Sequence, residues 1–344
     1  MDQLKLLVLY GGISEEHDVS VKSAKELSEN LDAAKYDPIY VFIGRDGLWR
    51  LADFPGEEGG VMVAPSTDRK NRGILAFKDG RCERLPVDVA FPMLHGRYGE
   101  DGTVQGVLEA SGIPYVGCGV CASALAMDKA LTYLAAAGAG VRVPRHKVLL
   151  RDDEIEAGDL QYPLFVKPAR SGSSFGVSKV CEPSSLFPAV RAARRYDGKV
   201  LLEEAVEGSE VGCAVMGNGS NLMTGALDQI ELSGGFFRIH QEARPEQGSE
   251  NATIRVPAPI PEAAGARVVE AAKAVYRALG CRGLARVDLF LTPDHQVVLN
   301  EVNTMPGFTS YSRYPRMMAG AGISLREGID RLIALALEDG GDAQ

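Results

Sequence analysis

The amino-acid sequence predicts an α/β protein of two or three domains that begins with an open parallel sheet. Residues 5–10 form an apolar run typical of a buried strand, a polar loop follows, and residues 19–31 have the periodicity of a helix. Residues 36–43 then predict a second strand, and this strand, helix, strand order is typical of a parallel sheet. A length of 344 residues favours two or three domains, and 45% hydrophobic with 24% charged residues is typical of a globular protein.

The first domain is expected to span residues 1–120. A further strand is predicted at residues 88–93, and a helix at residues 103–110 ends before Gly112, in the position of a glycine C-cap. Glycine, proline and charged residues are frequent in residues 53–84, which we interpret as an elaborated surface connection.

Two further domains are expected, at residues 121–210 and 211–344. The third domain contains a hairpin whose turn holds Pro293 and Asp294, and a helix closes it. The elements predicted in both domains are helices at 122–137, 184–195, 261–279 and 325–337, and strands at 147–150, 164–167, 177–180, 200–204, 284–291 and 297–302. Residues 231–251 are polar and too long for a plain connection, and we interpret them as a candidate lid.

Charge and cysteine content restrict the partners and the compartment. The net charge is −9, and no basic run is interleaved with aromatic residues, so neither nucleic acid nor a membrane surface is expected as a partner. No apolar run approaches the roughly 20 residues of a membrane span. Six cysteines without dense spacing are typical of a reducing cytoplasm. Cys118 and Cys121 are spaced as CxxC but lack the partners of a zinc site, so we interpret them as packing residues.

The predicted hairpin carries side chains that suit a metal ion. Arg286 and Asp288 are two residues apart on its first strand, and Glu301 and Asn303 are two apart on its second, so each pair lies on one face. If these faces coincide, three oxygen ligands converge beside one guanidinium. Carboxylate and amide oxygens favour Mg²⁺ that also holds nucleotide phosphates. The alternative is a solvated face, which the apolar residues of both strands disfavour.

A glycine- and serine-rich loop follows the predicted strand at residues 164–167. Its small residues are Gly172, Ser173, Ser174 and Gly176. Backbone N–H groups and hydroxyls in such a loop can close over phosphates, and Lys167 adds a positive charge. The chain contains no G-x-x-x-x-G-K-[ST] sequence, so this is not a Walker A loop.

The same loop supports a rival hypothesis from another class of enzyme. Residues 172–176 match G-x-S-x-G, which would make Ser174 the nucleophile of a serine hydrolase. The acid and histidine of its triad would be Asp228 and His240, or Asp288 and His295. We disfavour this hypothesis because residues 177–180 predict a strand, whereas a helix follows a nucleophile elbow.

Two loops of the first domain carry further candidates. Glu16 lies between a strand and a helix, where open α/β sheets bind ligands, and it suits an ammonium group. Alternatively, Glu16 only stabilises the N-terminus of the helix. His95 opens a glycine-punctuated polar loop at the end of a predicted strand, a position that often carries function. The alternative for His95 is a hydrogen-bonded structural residue.

Seven segments, which follow one another along the chain, contain the motifs described above and several others. They are GGISEEHDVS (11–20), HGRYGEDGTVQG (95–106), MDK (127–129), KPARSGSSFGV (167–177), LLEEAVEGSE (201–210), GLARVDLF (283–290) and NEVNTMPGFT (300–309). Together they resemble the ATP-grasp ligases and, within them, the D-alanine–D-alanine ligase family. The resemblance covers nearly the whole chain and implies a three-domain ATP-grasp fold. The candidate lid departs from the lid of the dipeptide ligases, which contains Tyr and Lys, and with His240 it is similar to the vancomycin-resistance D-alanine–D-lactate ligases.

The resemblance implies a role for each candidate residue. For ATP it implies Lys129, Lys167, Ser173, Ser174, Glu203, Glu204, Val206, Glu210, Asn300 and Glu301. For two Mg²⁺ ions, which Mn²⁺ is able to replace, it implies Asp288, Glu301 and Asn303. For the substrates and the reaction it implies Glu16, His95, Ser173, His240, Arg286, Gly307, Ser312 and Arg313. Glu16 would bind the ammonium of the first D-alanine, and Ser312 with the backbone of Arg313 would hold the carboxylate of the second substrate.

The implied reaction has two steps. The carboxylate of D-alanine attacks the γ-phosphoryl group of ATP, and the hydroxyl of D-lactate then attacks the acyl phosphate, with Arg286 and the backbone N–H of Gly307 stabilising the oxyanion. The product would be D-alanyl-D-lactate for altered peptidoglycan and glycopeptide resistance, made by a homodimer. D-Alanine, D-serine or another D-2-hydroxy acid stays open as the second substrate, as does the replacement of the lid lysine by Arg238.

Overall fold

Three β-sheets and eight α-helices form the part of the chain that a computed structural model describes, residues 3–172, 174–234 and 251–339. The strands are β1 (Leu4–Gly11), β2 (Tyr36–Ile43), β3 (Trp49–Ala52), β4 (Val61–Pro65), β5 (Gly73–Lys78), β6 (Arg81–Pro86), β7 (Val89–Met93), β8 (His146–Leu149), β9 (Leu164–Pro168), β10 (Ser178–Val180), β11 (Val200–Glu204), β12 (Ser209–Asn218), β13 (Asn221–Thr224), β14 (Asp228–Leu232), β15 (Ala252–Arg255), β16 (Leu284–Leu291) and β17 (Val297–Asn303). The helices are α1 (His17–Asn30), α2 (Thr103–Ala110), α3 (Val120–Met127), α4 (Lys129–Gly138), α5 (Leu186–Ala193), α6 (Glu262–Ala278), α7 (Arg313–Gly320) and α8 (Leu325–Asp339).

The first sheet is mixed rather than wholly parallel. β1 lies between β2 and β7 and is parallel to both, as the sequence predicts, with Val8 beside Tyr40 of β2. The order β6-β5-β4-β3-β2-β1-β7 then adds four antiparallel strands. Most of these strands lie in residues 53–84, which the sequence predicted to be an elaborated surface connection without strands of the sheet. Asp79 and Gly80, both with positive φ, join β5 to β6, and an Asp-Gly pair is a strong hairpin signal.

The single helix predicted at residues 122–137 is two helices. The axes of α3 and α4 differ by 107°, and the break falls at Asp128. The carboxylate of Asp128 accepts hydrogen bonds from two backbone N–H groups in the first turn of α4, at 3.2 and 3.3 Å. This is an N-cap, which starts a helix, so Lys129 occupies the first position of α4 rather than the middle of a longer helix.

The second and third sheets carry most of the candidate residues. The second sheet is antiparallel in the order β10-β9-β11-β8, and the third has the order β15-β14-β12-β16-β17 with β13 beside β12. α5 packs on the second sheet, while α3, α4 and α6 pack on the third. α7, which the sequence did not predict, and α8 share one core with β1, in which Tyr314 and Ile329 lie with Leu6 and Val8. The C-terminal helices therefore tie the first sheet to the third.

The cysteines and the helices bear on two of the sequence predictions. All six cysteines are free thiols, and Cys118 is buried with its sulfur 3.5 Å from the carbonyl oxygen of Leu284, as expected of a packing residue. Cys121 is exposed, so the same interpretation was wrong for Cys121. Across residues 3–172, 174–234 and 251–339, no single helix is long and apolar enough to cross a membrane. Only the bent pair α3 and α4 passes by length and composition.

Candidate active site

The hairpin of β16 and β17 brings the predicted oxygen ligands to one face. Asp288 lies directly opposite Glu301, and Arg286 lies opposite Asn303. The guanidinium of Arg286 donates to the carboxylate of Asp288 from Nε at 2.9 Å and from Nη2 at 2.7 Å. The register shifts just after Asp288, so Asn300 is the extra residue of a β-bulge. Bulges re-aim side chains near active sites, and the period-two argument did not anticipate this one.

This donor set fits a hard divalent cation. Nδ2 of Asn303 donates to Asp288 at 3.1 Å, which leaves the amide oxygen as an acceptor. Within the described residues no group of three or more His, Cys, Asp and Glu side chains suits a metal, so the amide of Asn303 is needed as the third ligand beside two carboxylates. Mg²⁺ is commonly bound by one or two carboxylates together with substrate phosphates.

The carboxylate of Glu301 lies among positive charges. Burial would raise its pKa, but Lys129, Arg286 and Lys167 outweigh this effect and hold the pKa of Glu301 below its ordinary value. The nearest of these groups is Nζ of Lys129, 3.4 Å from Oε2 of Glu301. Glu301 is therefore ionised at neutral pH, as a metal ligand must be.

The two lysines are held by different partners. Nζ of Lys129 donates to the carbonyl oxygen of Ser171, in the glycine-rich loop, at 2.9 Å. Nζ of Lys167 donates to Oε1 of Glu203 at 2.7 Å, and both of these side chains are almost fully buried. Two cationic groups are thereby fixed between the glycine-rich loop and the hairpin, an arrangement that suits the phosphates of a nucleotide.

The acidic residues at the end of β11 are both engaged within the protein. Tyr133 donates its hydroxyl to the second carboxylate oxygen of Glu203 at 2.7 Å. The carboxylate of Glu204 accepts a hydrogen bond from Arg145 at 2.8 Å, at a partly exposed position. Since both side chains already have partners, we expect contacts with an adenine base to come from the backbone around Val206.

Arg313 joins four elements of the third sheet region, which sequence reasoning missed. Its buried guanidinium donates to Asp228 at 2.7 and 2.8 Å and to Glu210 at 2.8 Å, and it lies 3.2 Å from Asp288. Burial alone would raise the pKa of Asp228, but Arg313 holds it below its ordinary value. From the sequence, only the backbone of Arg313 was expected to contact the second substrate. The side chain connects the predicted ribose residue Glu210 to the predicted metal ligand Asp288.

Glu16 lies where two glycine-containing loops meet. A methyl group on Gly96 would lie 2.6 Å from a carboxylate oxygen of Glu16, and one on Gly172 would lie 3.3 Å from it. The carboxylate is therefore close to the loop after β7 and to the glycine-rich loop after β9. Lys129 holds the second of these loops through Ser171. Glu16 thus lies close to the glycine-rich loop that Lys129 contacts, and it also occupies the N-cap position of α1.

His95 is buried and bridges two segments. Its Nδ1 lies 2.9 Å from the carbonyl oxygen of Met305, which requires the proton on Nδ1, and Nε2 lies 3.3 Å from the hydroxyl of Ser23. Burial lowers the pKa of His95. The neighbouring carboxyl of Glu100, which sequence reasoning did not single out, lies 4.0 Å from Nδ1, and burial raises its pKa well above the ordinary value. A histidine with a lowered pKa and a carboxyl with a raised pKa therefore lie side by side.

The segment between β17 and α7 provides polar groups at a helix N-terminus. Ser312 immediately precedes α7, and its hydroxyl lies 2.6 Å from that of Thr309. A methyl group on Gly307 would lie 3.0 Å from the oxygen of Ser312, so these two residues are adjacent. Free N–H groups at a helix N-terminus favour an anion, which agrees with a carboxylate site at Ser312 and Arg313.

The hydrolase hypothesis is not supported by the arrangement of its residues. Ser174 has a positive φ of 59°, but a turn and then β10 follow it, not a helix. His295 is exposed in the turn of the hairpin, away from the glycine-rich loop in sequence and on the far side of β16 from Asp288 along the strand. The remaining predicted residues Ser173, Arg238 and His240, with most of the candidate lid, lie outside the described residues.

Comparison with known proteins identifies the family. Residues 5–118 match the family model "D-ala D-ala ligase N-terminus", and residues 137–334 match "D-ala D-ala ligase C-terminus". A protein of Streptomyces coelicolor, provisionally named D-alanine–D-lactate ligase, is 59% identical over 98% of this chain and 99% of its own length. The vancomycin B-type resistance protein VanB of Enterococcus faecalis is 56% identical over 98% of this chain and 100% of its own.

A solved structure agrees with the sequence comparisons. The VanG D-Ala:D-Ser ligase of Enterococcus faecalis superposes with a TM-score of 0.87 at 41% identity, and the match covers 97% of this chain and 100% of that one. The predicted α/β class and ATP-grasp fold are thus confirmed. The chain belongs to the D-alanine–D-alanine ligase family.

Proposed function

We propose that this protein is an ATP-dependent ligase that joins D-alanine to D-lactate and so supplies D-alanyl-D-lactate for peptidoglycan precursors that resist glycopeptides such as vancomycin. One observation carries the catalytic part of this proposal. Asp288 and Glu301 face each other on the hairpin, with Lys129, Lys167 and Arg286 around them. Such a grouping of acidic ligands and cations suits the phosphates of ATP and the metal that accompanies them.

The proposed nucleotide site runs from the glycine-rich loop to β12. Lys129 and Lys167 would hold the phosphates, with Ser174 and Ser173 in the loop above them. The backbone around Val206 would contact the adenine, and Glu210 would accept from the ribose hydroxyls while Arg313 fixes its carboxylate. Two Mg²⁺ ions, for which Mn²⁺ can substitute, would be held by Asp288, Glu301 and Asn303. When bound, they would neutralise charge on the transferring phosphoryl oxygens.

The first step in this proposal is phosphorylation of D-alanine. Glu16 would hold the substrate ammonium, and its position beside Gly96 and Gly172 supports this role because the glycine-rich loop reaches the same point. The substrate carboxylate would then attack the γ-phosphoryl group to give an acyl phosphate and ADP. Lys167 would offset charge on the transferred group, and a dry cleft would protect the acyl phosphate from hydrolysis.

In the second step the hydroxyl of D-lactate attacks the acyl carbon. The N-terminus of α7 at Ser312 would hold the lactate carboxylate. Arg286 and the backbone N–H of Gly307 would stabilise the oxyanion of the tetrahedral intermediate, which collapses to the ester and releases phosphate. The proton of the hydroxyl must leave during this attack. Nε2 of His95 would accept this proton, because the contact of Nδ1 with the carbonyl oxygen of Met305 leaves Nε2 as an acceptor.

The choice of D-lactate rests on the relatives. A D-alanine–D-lactate ligase by provisional name shares 59% of its residues with this chain, whereas the D-Ala:D-Ser ligase shares 41%. The alternative is a ligase whose second substrate is D-alanine or D-serine. The deciding experiment supplies ATP, Mg²⁺ and D-alanine with D-lactate, D-serine or both, and identifies products by mass. Ester as the main product at neutral pH supports the proposal, and dipeptide as the main product would overturn it.

His240 gives the proposal its pH dependence. D-Lactate carries no ammonium, so an imidazolium near the second substrate would attract lactate and repel D-alanine. An ordinary histidine has a pKa of about 6.5, so the preference for ester should be strongest at mildly acidic pH and fade as the pH rises. His240→Ala should remove this preference and keep ATP binding. An unchanged product ratio at every pH would mean that His240 only positions the lid.

The remaining features of the proposal concern organisation. We propose domains at residues 1–120, 121–210 and 211–344 with the lid at residues 231–251, a homodimer, and a cytoplasmic location. Six free thiols agree with a reducing compartment. Sedimentation of the purified protein tests the dimer, and limited proteolysis near residues 120 and 210 tests the boundaries.

A further inference from the structure

A pocket on the second sheet region, lined by none of the predicted site residues, contains four arginines. It lies between the segment after β8 and the C-terminal end of α5, and its volume is about 510 Å³. The residues that line it are Arg151, Ile155, Phe187, Arg191, Arg194 and Arg195. We refer to it as the arginine pocket. We propose that the arginine pocket binds a small phosphorylated molecule that carries a planar ring.

The charge of the pocket is not balanced by the protein. None of its four arginines forms an ion pair with a carboxylate of the described residues, whereas other arginines of the same sheet region do, such as Arg170 with Asp197 and Arg145 with Glu204. Arg151, Arg191 and Arg195 are exposed, and Arg194 is half-buried. A bound anion would remove their mutual repulsion.

The acidic residues next to Arg151 in sequence are engaged elsewhere or fully exposed. Asp153 accepts a hydrogen bond from the backbone N–H of Leu150 at 2.7 Å, and Glu156 pairs with Lys147 at 2.6 Å. None of these carboxylates lines the arginine pocket. The positive charge of the pocket is therefore not neutralised by the loop that forms one of its walls.

One arginine is fixed in place and gives the pocket a defined shape. Arg194 donates from Nη2 to the carbonyl oxygens of Leu150 and Asp153 at 2.7 and 3.1 Å. Its buried Nε–H has no acceptor among the described residues. Arg194 therefore ties the end of α5 to the segment after β8, and Arg191 and Arg195 line the same pocket.

The chemistry of the lining indicates the class of ligand. The planar guanidinium fork of arginine matches two oxygens of a phosphate, which a lysine cannot do. The ring of Phe187 is 57% exposed and lies 5.8 Å from the guanidinium of Arg191, so it offers a surface on which another ring can stack. A volume of about 510 Å³ is within the range of small-molecule sites. A phosphate against the arginines and a ring against Phe187 would fill both parts of the pocket.

The experiment uses two probes on the full chain with the nucleotide site filled. A non-hydrolysable ATP analogue and Mg²⁺ are kept saturating, and phenyl phosphate or inorganic phosphate is titrated calorimetrically. We expect saturable binding of both probes, tighter for phenyl phosphate. Arg191→Gln with Arg195→Gln should weaken both probes at least tenfold, and Phe187→Ala should weaken only phenyl phosphate.

The matched control replaces two exposed arginines of α6, Arg267→Gln with Arg277→Gln, which removes the same charge from another face. It should bind both probes like the parent. The absence of saturable binding to the parent, or equal weakening in the two double variants, would overturn the proposal. Equal affinity for the two probes, unchanged in Phe187→Ala, would overturn the assignment of a ring-bearing ligand. Thermal unfolding of each variant verifies that it is folded before titration.

Discussion

Lys167 and Glu203 form a buried ion pair, with Nζ of Lys167 2.7 Å from Oε1 of Glu203 on the neighbouring strand. From the sequence alone, the expected role of Lys167 is to add a positive charge that binds phosphate. In the structure its charge also compensates a carboxylate that is 1% exposed. If Lys167 binds phosphate as proposed, catalysis and stability depend on the same side chain, and substitution can separate the two effects.

Lys167→Ala should abolish turnover and also destabilise the protein. Removal of one partner leaves the carboxylate of Glu203 buried without its cation, which costs about 3 kcal/mol in typical cases. The double variant Lys167→Met with Glu203→Gln should recover most of that free energy and remain inactive, because no buried charge is left unpaired. Urea unfolding and an ADP-release assay measure the two effects.

An exposed pair in the same sheet serves as the control. Lys147 pairs with Glu156 at 2.6 Å, and Lys147→Ala should change the free energy of unfolding by less than about 1 kcal/mol. If Lys167→Ala destabilised the protein no more than Lys147→Ala does, the buried pair would contribute no more to the free energy of unfolding than the exposed pair.

Arg313 should be more sensitive than any surface arginine. Arg313→Met leaves Asp228 and Asp288, both almost inaccessible to solvent, without their shared cation, and we expect a loss of at least about 3 kcal/mol in the free energy of unfolding. Arg313→Lys keeps a charge but cannot reach all the carboxylates at once, so it should fold and bind ATP several-fold more weakly through a mobile Glu210.

The control for Arg313 lies one turn further along α7. Arg316→Met removes a guanidinium that donates only to a backbone oxygen, that of Ile254, at 3.2 Å. It should leave the KM for ATP within twofold of the parent. A KM for ATP that is unchanged in Arg313→Lys would contradict the link from Arg313 to the nucleotide site.

The sequence predicted the part of the site that depends on local periodicity. A period of two correctly placed Asp288, Glu301, Arg286 and Asn303 on shared faces of one hairpin, because side chains of a strand alternate whatever the rest of the chain does. It could not predict the bulge at Asn300. A bulge depends on how two strands fit together, and a single strand carries little trace of it.

The long-range ion pairs could not be predicted from the sequence either. Arg313 is 85 residues from Asp228 and 103 from Glu210, and nothing in the spacing of these residues indicates that they meet. Other errors had a local signal that was overlooked. Asp79 with Gly80 marks a hairpin turn, and Asp128 marks the start of α4 as an N-cap.

Glu301→Gln should reduce turnover and leave the fold intact. The substitution keeps the size of the side chain but removes a charge that would bind the metal, and a lost ligand at a phosphoryl-transfer site should lower kcat at least about 100-fold. The Mg²⁺ concentration for half-maximal activity should rise. Glu262→Gln is the control, because Glu262 is exposed at the start of α6, which packs on the same sheet, and it should leave both values unchanged. Parent-like turnover in Glu301→Gln would mean that the hairpin face is not the metal site.

Glu16→Gln should weaken the first D-alanine and spare the nucleotide. Its carboxylate would lose the attraction for the substrate ammonium, so KM for the first D-alanine should rise at least about tenfold. The affinity for an ATP analogue, measured by calorimetry, should stay within twofold. The exposed neighbour Glu15, changed to Gln, should have no effect on either. A comparable loss of nucleotide affinity would show that Glu16 acts on the glycine-rich loop, which it contacts near Gly172.

His95 should make the free energy of unfolding depend on pH, and its lowered pKa determines the direction and the pH range of that dependence. Burial lowers the pKa of His95 in the folded protein below the value of about 6.5 that it has in the unfolded chain. The unfolded chain therefore binds more protons as the pH falls, and the stability that the neutral imidazole provides is fully present above pH 6.5 and is lost below it. In that window the loss from one such group is at most about 1.4 kcal/mol per pH unit.

His95→Gln removes this dependence while it retains one donor and one acceptor for Met305 and Ser23. The variant should be less stable than the parent at pH 7.5, since the imidazole packing is lost, but its free energy of unfolding should fall less steeply between pH 6.5 and pH 5. His17→Gln is the control, because that histidine is buried in the same sheet region and hydrogen-bonded to Gly12. Urea unfolding at half-unit intervals of pH measures all three slopes. Parallel slopes for the parent and His95→Gln would mean that another group titrates in this window and that His95 is not held neutral by burial.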